Sequence, residues 1–351
     1  MKKPILVAPL NWGLGHATRC IPIINALIEH GFTPIIGSDG NAFNLLKQEF
    51  PKLDFVEMPS YHISYAKKAK NFKWSLIKGT PKMLKAIKTE KQFTKQLVKD
   101  FELCGIISDN RLGVYDKHIS SVFITHQLNV LSGNTTKISS KLHQHIIKKF
   151  NECWVPDQRN EPSLSGVLGH LDYFNPNIKY LGPLSRFEPH DLDLTIDLLA
   201  LLSGPEPQRT LLEVKLLREL QNYNGEVILV RGIVEEQQNV SKDGNITVYN
   251  FMASKELEKT INQSKLILSR SGYTTIMDLA KLNKKAFFIP TPGQFEQEYL
   301  AKKLESDGMV PYCNQDEFNQ EKLNSVSNYK GLCNYNFELN YKKLFNLFQS
   351  E

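Results

Sequence analysis

Three times in this chain of 351 residues an apolar run ends in a glycine turn, and helical periodicity starts directly behind the turn. The first junction is Pro4 to Pro9, then Asn11-Trp12-Gly13-Leu14-Gly15-His16-Ala17-Thr18-Arg19, then apolar residues at Ile21, Ile24, Leu27 and Ile28 up to a Gly31 stop. The second is the run 197–202, then Ser203-Gly204-Pro205-Glu206-Pro207-Gln208-Arg209, then a helix through Leu211, Val214, Leu217 and Leu220. The third is Leu266-Ile267-Leu268, then Ser269-Arg270-Ser271-Gly272 and another helix. Short apolar strands alternating with amphipathic helices demand parallel sheets covered by helices. Each junction also makes an anion site, because unpaired backbone N–H groups and the helix dipole converge there.

The same alternation runs through the rest of the chain. Further strands are expected near 33–37, 54–58, 105–108, 121–125, 152–155, 178–182, 226–230, 246–249 and 286–289, with helices near 16–30, 41–49, 72–99 and 137–150. The length suits two α/β domains, each with its own core. Boundaries are expected at 1–184 and 195–334, with Ser185 to Asp193 as linker. Phe337, Tyr341, Leu344, Phe345 and Phe348 then form an amphipathic closing helix over 335–351.

Composition narrows the class. Hydrophobic residues make up 41% and charged residues 23%, the balance of a soluble globular protein. No uninterrupted apolar run has membrane-spanning length. The two opening lysines and the apolar residues after them mimic a signal peptide, but the run breaks at Asn11 and reads as a first strand. Five cysteines, odd in number and without C-x-x-C spacing, read as free thiols in a reducing compartment, with no metal site. A cytoplasmic location follows.

The net charge of +6 is uneven. Between Lys67 and Lys99 stand eleven lysines and one acid, Glu90. Phe72, Trp74, Leu76, Ile77, Met83, Leu84 and Ile87 recur among them at helical spacing. Such a segment fits an anionic membrane surface, where each Lys near the lipid contributes about 1 kcal/mol. It equally fits a helical hairpin packing its apolar side on the N-terminal sheet. No nucleic-acid module accompanies the basic stretch, so no nucleic acid partner is expected.

Chemistry-bearing residues gather at strand ends. The first junction lacks the third glycine and the acidic residue of the dinucleotide fingerprint. It ends in His16, an imidazole able to take a proton near neutrality, or else simply a helix cap. Asp109, in Ser108-Asp109-Asn110-Arg111, could orient or replace His16, or serve only as an Asx-turn residue. Asp278 follows Gly272 by about a turn and a half of helix, within reach of a ribose next to the anion site.

These residues resemble those of the two-Rossmann-domain (GT-B) glycosyltransferases, in particular the lipid II-forming N-acetylglucosaminyltransferases of peptidoglycan synthesis and their UDP-glycosyltransferase relatives. The resemblance covers most of the chain, strongest over 197–310 and the opening thirty residues. It implies an α/β fold of two Rossmann-like domains facing each other across a cleft, the last helix crossing back to the first domain. In that family a Ser-Gly pair holds the donor diphosphate, an acidic residue on the next helix the ribose, and a Gln-containing loop the sugar. Those positions resemble Ser271 and Gly272, Asp278, and Glu296 with Gln297. The glycine loop of the first domain resembles Gly13, Gly15 and His16. Ser203, Gly204 and Arg209 resemble a phosphate-side turn, Arg231 adds positive charge, and Phe251 with Met252 resembles the nucleobase segment. His126 and Gln127 resemble an acceptor-side pair. Two departures bear on the sugar: Asp278 stands for a longer Glu, and Glu296 stands where a Gln is usual.

The implied activity is inverting, metal-independent transfer from a nucleotide-diphosphate sugar, a UDP-sugar, to a hydroxyl acceptor. Lipid-linked acceptors of envelope glycan or glycolipid synthesis are included, at the inner face of the cytoplasmic membrane. No cofactor is implied beyond the donor, and no Asp-x-Asp motif serves the site. A UDP-sugar 2-epimerase of the same architecture and a non-catalytic donor-binding subunit remain open alternatives.

Overall fold

The computed structural model describes residues 3–61, 72–173, 175, 177–233, 235–333, 335 and 338–349, with the backbone alone for 72–82. The chain divides into two units, Met1–Arg186 with Asn336–Glu351, and Phe187–Tyr335.

The first unit runs β1 (Pro4–Pro9), α1 (Gly15–Glu29), β2 (Thr33–Ser38), α2 (Gly40–Glu49), β3 (Asp54–Glu57), α3 (Phe72–Asp100), β4 (Gly105–Asp109), β5 (Ser120–Ile124), α4 (Thr136–Ile147), β6 (Glu152–Val155) and β7 (Ile178–Tyr180). The sheet order is β3-β2-β1-β4-β5-β6-β7, and every pair is parallel. β1 lies between β2 and β4, so consecutive crossovers leave it in opposite directions. Ligands of open parallel sheets bind outside the strand ends at such a reversal. Ile5, Leu6, Val7 and Ala8 are fully buried, which explains a continuous apolar run where a one-sided strand would alternate.

α3 is one continuous helix rather than a hairpin. Its later turns bury Glu90, Thr94 and Leu97, the last against Leu6 and Ile106, while Met83 and Leu84 stay exposed. Residues 67–71 of the basic stretch lie outside the described residues.

The C-terminal segment also belongs to this unit. It is shorter as a helix than the periodicity suggests: α9 spans Tyr341–Phe345 and continues as a 3-10 turn over Asn346–Phe348, while Phe337 lies outside the described residues. Two aromatics hold it. Phe345 packs edge-on against Phe32 at 5.7 Å, and Phe348 against Trp154 at 6.2 Å. Both are buried, each contributing roughly 1.5–3 kcal/mol of burial. Gly105 makes room for this contact, since a Cβ there would sit 2.3 Å from the Phe348 ring.

The second unit runs β8 (Ile196–Leu201), α5 (Gln208–Glu219), β9 (Val227–Val230), β10 (Val240–Asp243), β11 (Ile246–Tyr249), α6 (Ser254–Asn262), β12 (Ser264–Ser269), α7 (Tyr273–Lys281), β13 (Ala286–Phe288) and α8 (Phe295–Ser306). The order is β10-β11-β9-β8-β12-β13. All pairs are parallel except β10 with β11, a hairpin with Gly244 at the first loop position, where a positive φ is needed. β10 escapes the sequence because Val240-Ser241-Lys242-Asp243 is exposed throughout and carries no alternation. Half of the expected linker is also packed: Phe187 is buried, and the Glu188 and His190 backbone N–H groups donate to Glu258 and Asn262 of α6.

Candidate functional site

In the first unit, parallel pairing of β1 with β4 sets Pro9 beside Asp109 and brings α1 over the end of β4. Gly13, at φ +79, turns the chain so that α1 starts at Gly15. His16 and Arg19, three residues apart on that helix, then share a face. The His16 Nδ1 lies 2.8 Å from Asp109 Oδ1. Arg19 donates through Nε to Asp109 Oδ2 at 2.5 Å and through Nη2 to Oδ1. Its Nη1 faces His126 Nδ1 at 3.0 Å, just beyond β5. His16, Arg19, Asp109 and His126 form one connected cluster across three strand ends.

The proton positions follow from donor chemistry. A guanidinium only donates, so His126 Nδ1 is an acceptor and the His126 proton sits on Nε2. His16 Nδ1 is 2.8 Å from both Asp109 Oδ1 and Arg19 Nη2, and it cannot donate to one while accepting from the other. Donation to Asp109 leaves the Nε2 lone pair of His16 available as a base. Burial, and then Arg19, lower the His16 pKa against the raising influence of Asp109, so the imidazole is neutral at physiological pH. For Asp109, burial pushes upward but Arg19 and His16 outweigh it and hold the carboxyl at about 2.

A second buried network braces these loops. Arg111, two residues past Asp109, donates to the Pro9 carbonyl at 3.0 Å, to Glu90 at 2.8 Å and to Asp39. Glu90, the one acid in the basic stretch, is therefore a structural counterion, and the exposed charge of described α3 residues in that stretch is all lysine. Asn110 adopts φ +56 between the two networks, which an Asn tolerates.

In the second unit the β8–α5 turn carries Ser203 and Gly204, both exposed, with Gly204 at φ +99. A Cβ on Gly272 would meet nothing closer than Thr275 Oγ1 at 3.9 Å, leaving open space at the start of α7. The Ser271 hydroxyl is buried and donates to the Gln297 carbonyl at 2.8 Å, so the side chain is engaged within the loop. Gln297 is buried too, and its Oε1 accepts from Thr291 N at 2.8 Å, which pins the loop ahead of α8. Asp278 and Glu296 are half-buried on α7 and in the first turn of α8. Met252 is buried after β11, and the Phe251 carbonyl accepts from Gln238.

The cations differ from expectation. Arg209 pairs with Glu206 and, at 3.3 Å, with Glu213, and Arg231 pairs with Glu213 at 2.7 Å. Two arginines and two glutamates cancel, which removes the free positive charge that the sequence suggested at these positions. Arg270 is the contrast. Fully buried, it donates to the carbonyls of Ile289, Pro290 and Gln208 and to Gln315 Oε1, and among the described residues no carboxylate pairs with it. Burial lowers its pKa only to about 10, so it keeps its charge.

Comparison with known proteins now bears on these turns. Residues 208–328 match the glycosyltransferase family 28 C-terminal domain. Two relatives are each described as a UDP-N-acetylglucosamine--N-acetylmuramyl-(pentapeptide) pyrophosphoryl-undecaprenol N-acetylglucosamine transferase. That of Buchnera aphidicola subsp. Schizaphis graminum is 25% identical over 235 residues, covering 64% of this chain and 58% of the relative. That of Sulfurihydrogenibium sp. is 23% identical over 318 residues, covering 88% and 84%. The chain thus spans a little over half the length of the first and most of the second. Among solved structures, the glycotransferase of kitacinnamycin has a TM-score of 0.64 at 12% identity, over 93% of this chain and 89% of that one. At such identity the likeness speaks for the fold. The fold is that of the GT-B glycosyltransferases, and the matched domain is a glycosyltransferase domain.

The sequence already linked Asp109 to His16 and set His126 on the acceptor side, and the structure joins the three through Arg19. Sequence reasoning missed Arg19, although the i, i+3 spacing from His16 was visible, and it missed Arg270 inside the very Ser-Arg-Ser-Gly turn it singled out. Among the described residues, no three His, Cys, Asp or Glu side chains group to hold a metal ion, and no helix is long and apolar enough to cross a membrane.

Proposed function

We propose that this glycosyltransferase moves a sugar from a UDP-sugar to a hydroxyl acceptor, with inversion and without a metal. The observation that carries the reading is the His16–Asp109 hydrogen bond, which presents a neutral imidazole at the end of β1. The acceptor oxygen attacks the anomeric carbon while its proton passes to His16 Nε2. The bond from that carbon to the diphosphate breaks, and the diphosphate leaves with its electron pair. Asp109 orients His16 and stabilises the imidazolium that forms. The second unit binds the donor: backbone at Ser271-Gly272 and Ser203-Gly204 takes the diphosphate, Asp278 the ribose, Phe251-Met252 the base, and Glu296 the sugar. Arg270 and the helix N-termini offset the departing charge, a preorganised contribution of about 3 kcal/mol per donor in the transition state.

A lipid-linked acceptor is part of this proposal. Met83 and Leu84 on α3 are exposed beside Lys85, Lys88 and Lys91, an arrangement suited to an anionic bilayer. The two relatives named above act on an undecaprenol-linked substrate by their descriptions.

The test incubates the purified chain with a panel of UDP-sugars and polyprenyl-linked acceptors, with and without EDTA, and reads the product's anomeric configuration by NMR. An inverted product formed equally in EDTA is expected. A retained configuration, or loss of activity in EDTA, overturns the mechanism. Exchange of the sugar C2 proton in deuterated water without acceptor would instead reveal the epimerase.

A further inference from the structure

One buried hydroxyl in the second unit has no partner. Thr291 lies three residues past β13 and is 4% exposed, yet its Oγ1 makes no hydrogen bond. Its backbone N–H is held by Gln297, so the loop is fixed and the unmet hydroxyl is not a matter of a swinging chain. A buried polar group without a hydrogen-bond partner is costly, and one that persists in a fixed loop calls for an explanation such as a ligand that supplies the partner.

The direction in which it points is set by the neighbouring turn. Leaving out its chain neighbours, a Cβ on Gly204 would meet one atom within 4 Å, the Thr291 hydroxyl at 3.5 Å. The space above the Gly204 backbone is otherwise open, and Thr291 Oγ1 borders it. Behind the same loop lies Arg270, donating to the carbonyls of Ile289 and Pro290 immediately ahead of Thr291. Its Nε is also without a partner, and no carboxylate among the described residues neutralises it. A positive charge left uncompensated in a low-dielectric interior favours an anion in the adjoining space. An exposed glycine backbone and a hydroxyl beside a buried cation suit a phosphoryl group better than a sugar ring.

We propose that Thr291 is a donor-binding residue, its hydroxyl donating to a phosphoryl oxygen of the nucleotide diphosphate over the Gly204 turn. This deepens the donor reading of the second unit and rests on it. The methyl group of Thr291 plays no part, so serine serves at the position and valine does not.

Calorimetry on the full chain with UDP, and with uridine as the phosphate-free probe, tests the assignment. Thr291→Val is expected to weaken UDP about tenfold or more, as loss of a hydrogen bond to a charged acceptor does, and to leave uridine unchanged. Thr291→Ser is expected to bind UDP within about threefold of the parent. The free Thr291→Val protein should melt no lower than the parent, because the change removes an unsatisfied hydroxyl at constant shape. Equal UDP affinity of parent and Thr291→Val overturns the Thr291 assignment while the donor site stands. So does an equal loss for UDP and uridine, which marks a merely structural residue. A parent chain that binds none of UDP, dTDP and GDP overturns the donor reading and this inference together. Should Thr291→Val fail to fold, Thr291→Ala against Thr291→Ser gives the same contrast.

Discussion

The two units solve the placing of charge in opposite ways. In the first, the carboxylates around the site are paired: Asp109 with Arg19, and Glu90 and Asp39 with the one Arg111, while His16 is left neutral. In the second, the half-buried Arg209 and Arg231 are the neutralised ones, and the fully buried Arg270 has no carboxylate partner among the described residues. The difference matches the chemistry each is assigned. A general base works only while unprotonated, so its surroundings must not store positive charge on the ring. A site for a leaving diphosphate gains from a fixed cation already in place before the charge develops. Side chains build the candidate base of the first unit, whereas the donor site proposed for the second rests on backbone turns at Gly204 and Gly272.

The comparison breaks most readily at His16. His16→Ala should lower turnover by about two to four orders of magnitude while calorimetric UDP affinity holds. Unchanged turnover would remove the base from the first unit. The next test is thermodynamic. Asp109→Asn leaves the Arg19 guanidinium buried without its counterion and should cost about 3–5 kcal/mol in urea unfolding, the size expected for breaking a buried pair from one side. A loss near zero would mean that the cluster is not dry.

The pH profile sharpens the same point. Burial and Arg19 depress the His16 pKa, so the neutral base persists below the ordinary imidazole value of about 6.5. The acid limb of kcat/KM should accordingly lie below that value, with activity lost as pH falls through the lowered pKa. A limb at 7 or above would contradict the compensated cluster. The smallest effect belongs to the second unit: Arg209→Ala and Arg231→Ala should each change UDP affinity by less than about threefold, since both side chains are spent on Glu213. A tenfold loss in either would return to these residues the phosphate role suggested by their position in the chain.

Much of the architecture was legible without coordinates, because strand and helix periodicities are local and the glycine junctions are contiguous. The strands from β1 to β9, and then β11 to β13, fall within a residue or two of where apolar runs lie. β10 does not, since an exposed hairpin edge carries no hydrophobic signal to read. The closing aromatics were visible as a pattern, but their partners Phe32 and Trp154 come from distant strands and loops.

By itself, then, the chain's order of residues determined the two α/β sheets, the glycine turns at their strand ends, and the presence there of His16, Asp109 and Ser271-Gly272. Tertiary structure alone decided which charges meet. Arg19 reaches Asp109 across 90 positions because β4 pairs with β1. Arg270 stands without a counterion because the atoms around it are carbonyls and an amide rather than acids. Ion pairing depends on distances of a few ångströms between segments remote in sequence, and strand order, not local pattern, sets those distances.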